Sequence, residues 1–390
     1  MIEIIKTLAK QYADEFITIR HHLHAHPELS FEEYNTSHFI LQQLTAWQIP
    51  FEIKAKTGVV AIIKGNEPES RIVALRADMD ALPITEANDI SYKSKNDGVM
   101  HACGHDVHTT CLLGAAKILN ETKKEWKGTV KLIFQPGEEK NPGGASIMIK
   151  EGVLENPKPQ KIFALHVHPG MEAGTFSFRG GKVMASADEI YITIKCKGGH
   201  AAAPQFTADS ILIASHLIIG LQQIVSRNNN PFNPSVLSIT AINGGNTTNV
   251  IPSEVKLMGT FRAMDEKWRF DAHELIKQRT IAIVKSMGAE ADITIDVGYP
   301  FVHNDEQLSI QARELAEVFA GSENVSETEL RMGAEDFAFY SHQIPGCFFR
   351  LGAGNAAKGI NSNVHTSTFN IDESAIEQGI GMLCWLATQS

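Results

Sequence analysis

Thr129-Val-Lys-Leu-Ile-Phe-Gln-Pro-Gly-Glu-Glu139 is an apolar run that stops at a Pro-Gly turn and a pair of adjacent acids. A short run of β-branched and apolar residues bounded by turn formers reads as a buried strand. Two further stretches repeat the pattern. Arg71-Ile-Val-Ala-Leu75 reads as a strand leading to Asp78 and Asp80, and Lys161-Ile-Phe-Ala-Leu165 as a strand leading to His166 and His168. Val107–Leu119 predicts a helix with Leu112, Leu113, Ala116 and Leu119 on its apolar side, and Gly144–Lys150 a shorter one. This βαβαβ order predicts an α/β fold, a mixed and mostly parallel sheet with helices on both faces. Open sheets of this kind bind ligands beyond the carboxyl ends of their strands, where all three polar motifs fall.

The period then changes. Glu189–Cys196 alternates as a half-exposed strand, Asp209–Ser226 is a long helix, Ser235–Ile242 and Glu254–Arg262 are strands, Lys267–Met287 a helix and Ala291–Gly298 a strand. The order β-α-β-β-α-β is that of a ferredoxin-like sandwich. Residues 187–297 are therefore expected to form an inserted domain, with 1–186 and 298–390 forming the larger one. A chain of 390 residues exceeds what one core serves, which fits two domains. In the last part, helix Gln307–Phe319, strand Cys347–Leu351 and helix Glu373–Thr388 complete the larger domain, with His365 on the loop before the final helix.

Composition narrows the function classes. The apolar share of 43% and charged share of 21% are those of a globular chain. A net charge of −10 argues against a nucleic-acid partner and weakly against anionic membranes. The five cysteines are odd in number and widely spaced, which excludes a disulfide framework and fits a reducing, cytoplasmic setting. The N-terminus lacks the pattern of a signal peptide, and Ile211–Val225 reads as too short and too polar to span a bilayer.

Chemistry concentrates in Met100-His-Ala-Cys-Gly-His-Asp-Val-His108. A thiolate at Cys103 and an imidazole at His105 suit one metal or two adjacent ones, with Gly104 allowing a tight turn between them; a nucleophilic Cys–His pair is the rival reading. Glu138 and Glu139 repel each other unless a cation lies between, and they permit a division of labour between ligand and proton acceptor. Two solvated acids are the bland alternative. His166 and His168 alternate with Val167 and share a side of an extended segment, one a candidate ligand and the other a pocket wall. Asp80 suits either direct ligation or orientation of a ligating imidazole. In the middle domain, Gly198-Gly-His200 presents one imidazole, Asn249 an amide and Arg262 a guanidinium matched to a carboxylate. For these, turn and surface roles weigh equally.

The motifs together resemble the two-domain aminoacylase and carboxypeptidase metallohydrolases, in their hippurate-hydrolase and auxin-conjugate-hydrolase branch. The stretches are His22-Leu-His-Ala-His-Pro-Glu-Leu-Ser-Phe31, Leu75–Pro83, Met100–Asp106, Phe134–Glu139, Gly198–Ala202, Asn249–Pro252 and Gly333–Phe337. The resemblance implies that Cys103, His105, Glu139, His166 and His365 hold two divalent ions, zinc or manganese, with nickel or cobalt also possible. It implies Glu138 as general base, Asp80 as the group orienting a ligand, and His200, from a partner subunit, as the oxyanion donor. Asn249 and Arg262 would bind the substrate carboxylate. The branch usually has alanine where Gly137 stands, a change expected to be harmless. Asp78 and Asp106 remain open as metal contacts.

The expected activity is metal-dependent hydrolysis of the amide of N-acyl amino acids or small acylated peptides with a free carboxylate, by a homodimer joined through the inserted domain. An N-acetyl-diaminopimelate-type deacetylase is the alternative within the class. A Cys103-nucleophile amidase and a non-catalytic binding protein are the alternatives outside it.

Overall fold

The computed structural model describes residues 1–390. Its contacts divide the chain into two compact units: Met1–Val183 with His303–Glu329 and Asp336–Ser390, and Met184–Val302 with Leu330–Glu335. The inserted unit is thus a few residues longer at each end than 187–297, and it takes in a short segment from far downstream.

The larger unit holds an eight-stranded sheet in the order Phe51–Lys54, Gly58–Lys64, Thr129–Gln135, Ile72–Asp78, Lys161–Glu172, Gly346–Gly354, Phe176–Phe178, Val325–Glu327. The central strands, from Thr129–Gln135 to Gly346–Gly354, run parallel. An antiparallel hairpin closes one edge. Successive side chains leave opposite faces of a strand, so one strand serves two layers. Val73 and Leu75 join a core with Leu112, Leu113, Leu119 and Ile380 from the helices His105–Glu121 and Ser374–Gln389. Arg76, one step out of phase, reaches Asp336 at 2.7 Å, and Asp336 in turn accepts from Ala145 N at 2.9 Å. That contact ties the short helix Gly144–Lys150 to the opposite face. Each fully buried leucine contributes about 1.5–3 kcal/mol to holding these layers together.

Two expectations shift in detail. The strand from Lys161 runs on to Glu172, so His166 and His168 lie inside it rather than past its end. Alternation through His-Val-His continues the strand without an apolar signal. The N-terminal helices Ile2–Gln11, Ala13–Ala25 and Tyr34–Ala46 add a layer that the strand pattern did not announce.

The inserted unit carries a four-stranded antiparallel sheet in the order Ser235–Asn243, Glu254–Ala263, Asp188–Lys195, Glu290–Val297. Ile190, Ile192 and Ile194 point inward against Ile213, Leu217 and Leu221 of helix Ser210–Gln223 and Ile276 of helix Glu266–Ser286. Asp209 and Asp265 cap these helices by accepting from Leu212 N and Trp268 N. The helical run Ser210–Asn228 is 19 residues long and holds an 18-residue window of mean hydropathy 1.2, so by length and composition alone it is long and apolar enough to cross a membrane, as core helices also can be. A wider turn at Ile224–Asn228 extends it beyond the expected end. Its inward face is committed to the sheet.

Candidate metal centre

The elements of the larger unit bring the metal-ligating residue types together. Gly104, with φ 89°, ends the Met100 loop and starts helix His105–Glu121; a Cβ there would lie 2.3 Å from Val167 Cγ2, so the turn needs glycine. Cys103 therefore precedes the helix and His105 opens it. Across the sheet, His166 comes from strand Lys161–Glu172, with its Nε2 3.5 Å from Cys103 Sγ. Glu138 and Glu139 follow strand Thr129–Gln135. His365, with φ 62°, stands on its loop with Nε2 3.1 Å from Glu139 Oε1.

Ligand atoms of three overlapping groups each lie within 4.8 Å of one another: Cys103, His105 and His166; Cys103, Glu139 and His365; and His105, Glu138 and Glu139. His105 Nδ1 is 3.1 Å from Asp80 Oδ1, and Asp80 Oδ2 accepts from Ser30 Oγ at 2.6 Å and Glu139 N at 3.0 Å. The opposite ring nitrogen, His105 Nε2, is buried with no hydrogen-bond partner. An imidazole held by a carboxylate on one nitrogen, with the other left bare in a cluster of sulfur, nitrogen and carboxylate donors, fits a divalent cation.

Electrostatics agrees with that fit. Burial alone would lower the His105 pKa, but Asp78, Cys103 and the Asp80 hydrogen bond raise it well above the ordinary value. Hydrogen bonds to Cys103 and Glu139 push His365 up to about 10. Burial holds His166 neutral, with His108 adding to the effect. Burial also raises the Cys103 thiol, and Glu139 raises it further. Protons thus sit where cations would bind, so cation binding displaces them and strengthens as pH rises. We expect Asp80→Asn to weaken metal affinity ~10–100-fold by loosening the His105 ring, read by calorimetric titration of the metal-free protein. Unchanged affinity would remove Asp80 from that role.

Both open acids have protein partners, yet neither is closed to metal: Asp106 Oδ1 is buried without a hydrogen-bond partner, and Asp78 lies with His105 and His108 in a group whose ligand atoms are within 4.8 Å of one another. Asp106 Oδ2 accepts from Arg20 Nε and His24 Nδ1, both at 2.8 Å, in a fully buried cluster. Asp78 accepts from Arg76 Nη1 and His108 Nδ1, both at 2.6 Å, and lies 3.9 Å from His105 Nε2. His108 was not singled out as a site residue; its spacing of three from His105 on one helix was the available signal. Arg76 and Asp78, two apart on a strand, gave a similar one. Gly137 has φ 59°, which strains any residue with a side chain, and a Cβ there would lie 2.3 Å from Phe31 Cε1.

His200, Asn249 and Arg262 belong to the inserted unit. His200 pairs with Val250 on a two-stranded ribbon, and Asn249 adjoins its end, where Ala201 N donates to Asn249 O at 3.0 Å. Arg262 lies apart from that ribbon, on strand Glu254–Ala263, with its Nε donating to Thr260 Oγ1.

The sequence profile of Peptidase family M20/M25/M40 matches residues 74–389. The chain belongs to this family. Thermostable carboxypeptidase 2 of Saccharolobus solfataricus is 38% identical over 384 residues, covering 97% of this chain and 96% of the relative. N-acetyl-L-cysteine deacetylase of Bacillus subtilis is 41% identical, with 95% and 86% covered. IAA-amino acid hydrolase ILR1-like 5 of Arabidopsis thaliana is 40% identical, with 98% and 88% covered. Among solved structures, the YXEP protein of Bacillus subtilis, a dinuclear metal binding peptidase from the M20 family, superposes with a TM-score of 0.83 at 35% identity over 97% of this chain and 98% of that one. This M20 chain is a metallohydrolase with the mixed α/β architecture of those relatives.

Proposed function

We propose that the chain is a di-metal amidohydrolase that cleaves the amide of an N-acyl amino acid, or of a small acylated peptide with a free carboxylate. The observation that carries this reading is the bare, buried His105 Nε2 among Cys103, Glu138 and Glu139. Cys103, His105, Glu139, His166 and His365 would hold two divalent cations, zinc or manganese. When bound, such cations supply Lewis acidity that lowers the pKa of water from about 15.7 toward about 7 and polarises an acyl carbonyl. Glu138, 6% exposed, takes the proton from the attacking water and passes it to the leaving amine. Asp80 keeps the His105 ring in its orientation.

The inserted unit supplies the substrate contacts. Ala202 N donates to His200 Nδ1 at 3.0 Å, so a neutral His200 ring carries its proton on Nε2, the form an oxyanion donor needs. Thr247 Oγ1 donates to Asn249 Oδ1, which leaves the Asn249 amide nitrogen as a donor toward a carboxylate. The terminal nitrogens of Arg262, although apart from Asn249 within one chain, are a second donor set matched to a substrate carboxylate. We expect Arg262→Ala mainly to raise KM for acidic substrates, and an unchanged preference for the free carboxylate would reject the assignment.

The active form is a homodimer joined through the inserted unit, with His200 acting in the partner's site. Exposed Ile211, Leu212 and Ile219 on helix Ser210–Gln223, beside the open edge strand with Val236 and Ile242, support that. Light scattering at the mass of one chain would exclude it. Five free cysteines support a cytoplasmic setting.

The deciding experiment is a screen of N-acyl amino acids with the chelated enzyme and defined metals added back. We expect loss of turnover on chelation and recovery with zinc or manganese. A chelated enzyme that keeps turnover and dies on thiol alkylation would replace this reading with a Cys103 nucleophile. Burial already disfavours that thiolate.

A further inference from the structure

Glu33 is a buried carboxylate that the proposed chemistry does not use. It is 0% exposed and immediately precedes helix Tyr34–Ala46. Its Oε1 accepts from Phe31 N and from Gly137 N, each at 2.8 Å, and its Oε2 accepts from Thr57 Oγ1 at 2.8 Å. No cation is among these partners. Burying a carboxylate without one is costly, and packing alone would be served by an apolar side chain.

The contact with Gly137 gives the buried acceptor a purpose. Gly137 is the residue before Glu138, in the Pro-Gly turn that follows strand Thr129–Gln135. Phe31 and Gly137 both have positive φ, 68° and 59°, and the Phe31 ring fills the space a Gly137 side chain would take. From the other side, Asp80 Oδ2 accepts from Glu139 N at 3.0 Å while Ser30 Oγ donates to the same oxygen at 2.6 Å. The acid loop is therefore held at Gly137 N by Glu33 and at Glu139 N by Asp80, the oxygen of which also accepts from Ser30.

We propose that Glu33 is a positioning residue that fixes the backbone of the Glu138–Glu139 loop by accepting the Gly137 N–H, without touching substrate. The proposal rests on the reading of those two acids as base and ligand. Burial, and then the charge of Asp80, push the Glu33 carboxyl up to about 7. Oε1 accepts in either protonation state, and the Thr57 hydroxyl can turn to suit Oε2. The grip is thus a matter of the acceptor and not of the charge, and a glutamine should supply it.

The test compares variants of the metal-loaded enzyme on one N-acyl amino acid. A displacement of about 1 Å in a catalytic group costs ~100-fold in rate, so Glu33→Ala should lose ~10–100-fold in kcat with KM within ~3-fold. Glu33→Gln should stay within ~3-fold of the parent in both constants. If Glu33→Ala does not fold, Glu33→Met, which fills the volume and removes both acceptors, carries the same expectation. Thr57→Val removes the Oε2 contact alone; it should lower the melting temperature and spare kcat. The proposal is overturned if Glu33→Ala turns over normally, if Glu33→Gln falls as far as Glu33→Ala, or if Thr57→Val loses kcat to the same degree. Glu138→Gln in the same assay separates the two claims. Should it remain active while Glu33→Ala is impaired and metal-depleted, the base assignment fails and the grip stands through Glu139.

Discussion

Glu138→Gln should lower kcat by ~10²–10⁴ while the protein keeps its metal, the range that one general base supplies. The substitution keeps the shape and one acceptor oxygen and removes the ability to hold a proton. The neighbouring structure has little reason to move. Glu138 Oε1 lies 3.4 Å from Asp336 N, a contact that an amide oxygen can also make. Asp336 itself is anchored by Arg76, Gln135 and Ala145 N, so the platform under residue 138 does not depend on its charge. A loss of this size corresponds to about 3–5 kcal/mol of transition-state stabilisation. Steady-state kinetics with elemental analysis of the same sample checks it. Turnover within tenfold of the parent would remove Glu138 from the mechanism, and loss of metal in parallel would recast it as a ligand.

The second large effect is one of stability. Asp106→Ala should destabilise the larger unit by about 3 kcal/mol, at the low end of what breaking a buried ion pair costs. The low end applies because Arg20 keeps contacts with Glu373 Oε1 and Asn370 Oδ1, each at 3.1 Å. His24 keeps Glu86 at 3.2 Å. The pH dependence follows from the two shifts. Burial opposes the ionised form of Asp106, but Arg20 and then His24 depress its pKa far below the ordinary value. That contribution is intact above about pH 4 and fades as pH falls further. Burial likewise opposes the charged form of His24, yet hydrogen bonding to Asp106 raises its pKa. Its share is complete below about pH 6.5 and is lost as pH rises through the raised value. The pair is therefore worth most between about pH 4 and 6.5. Denaturant unfolding across that range, with metal content measured alongside, checks the expectation. A stability loss under 1 kcal/mol together with metal loss would mean that Asp106 contacts metal after all.

The sequence was legible where one residue's neighbours decide its conformation. Val73, Leu75, Leu132 and Phe163 sit in continuous apolar runs, and Ile190, Ile192 and Ile194 alternate cleanly, so both sheets could be read. Strand Phe51–Lys54 was not, because it is a largely exposed edge with no apolar pattern. Helix Ala13–Ala25 was not, because it buries Arg20 and His24 where an apolar stripe was expected. The donor-rich loops drew attention because sulfur, imidazole and carboxylate crowd together there. Glu33 and Arg20 carried no such signal, and Asp336 showed only as part of the Gly333–Phe337 stretch. Their partners lie far away in the chain, and nothing local distinguishes a buried acid from a solvated one.

Strand Gly346–Gly354 lies near the middle of the larger sheet, between segments made far earlier, and His365 follows it. A ribosome will therefore have finished the inserted unit before the larger sheet can close. At 5–20 residues per second, Cys103 waits on the order of tens of seconds for His365 to emerge. During that interval the nascent chain holds an incomplete set of donors and an open sheet edge beside Lys161–Glu172. Truncated products ending before residue 346 should then be inactive and prone to aggregate, so that hydrolysis begins only once synthesis is nearly complete.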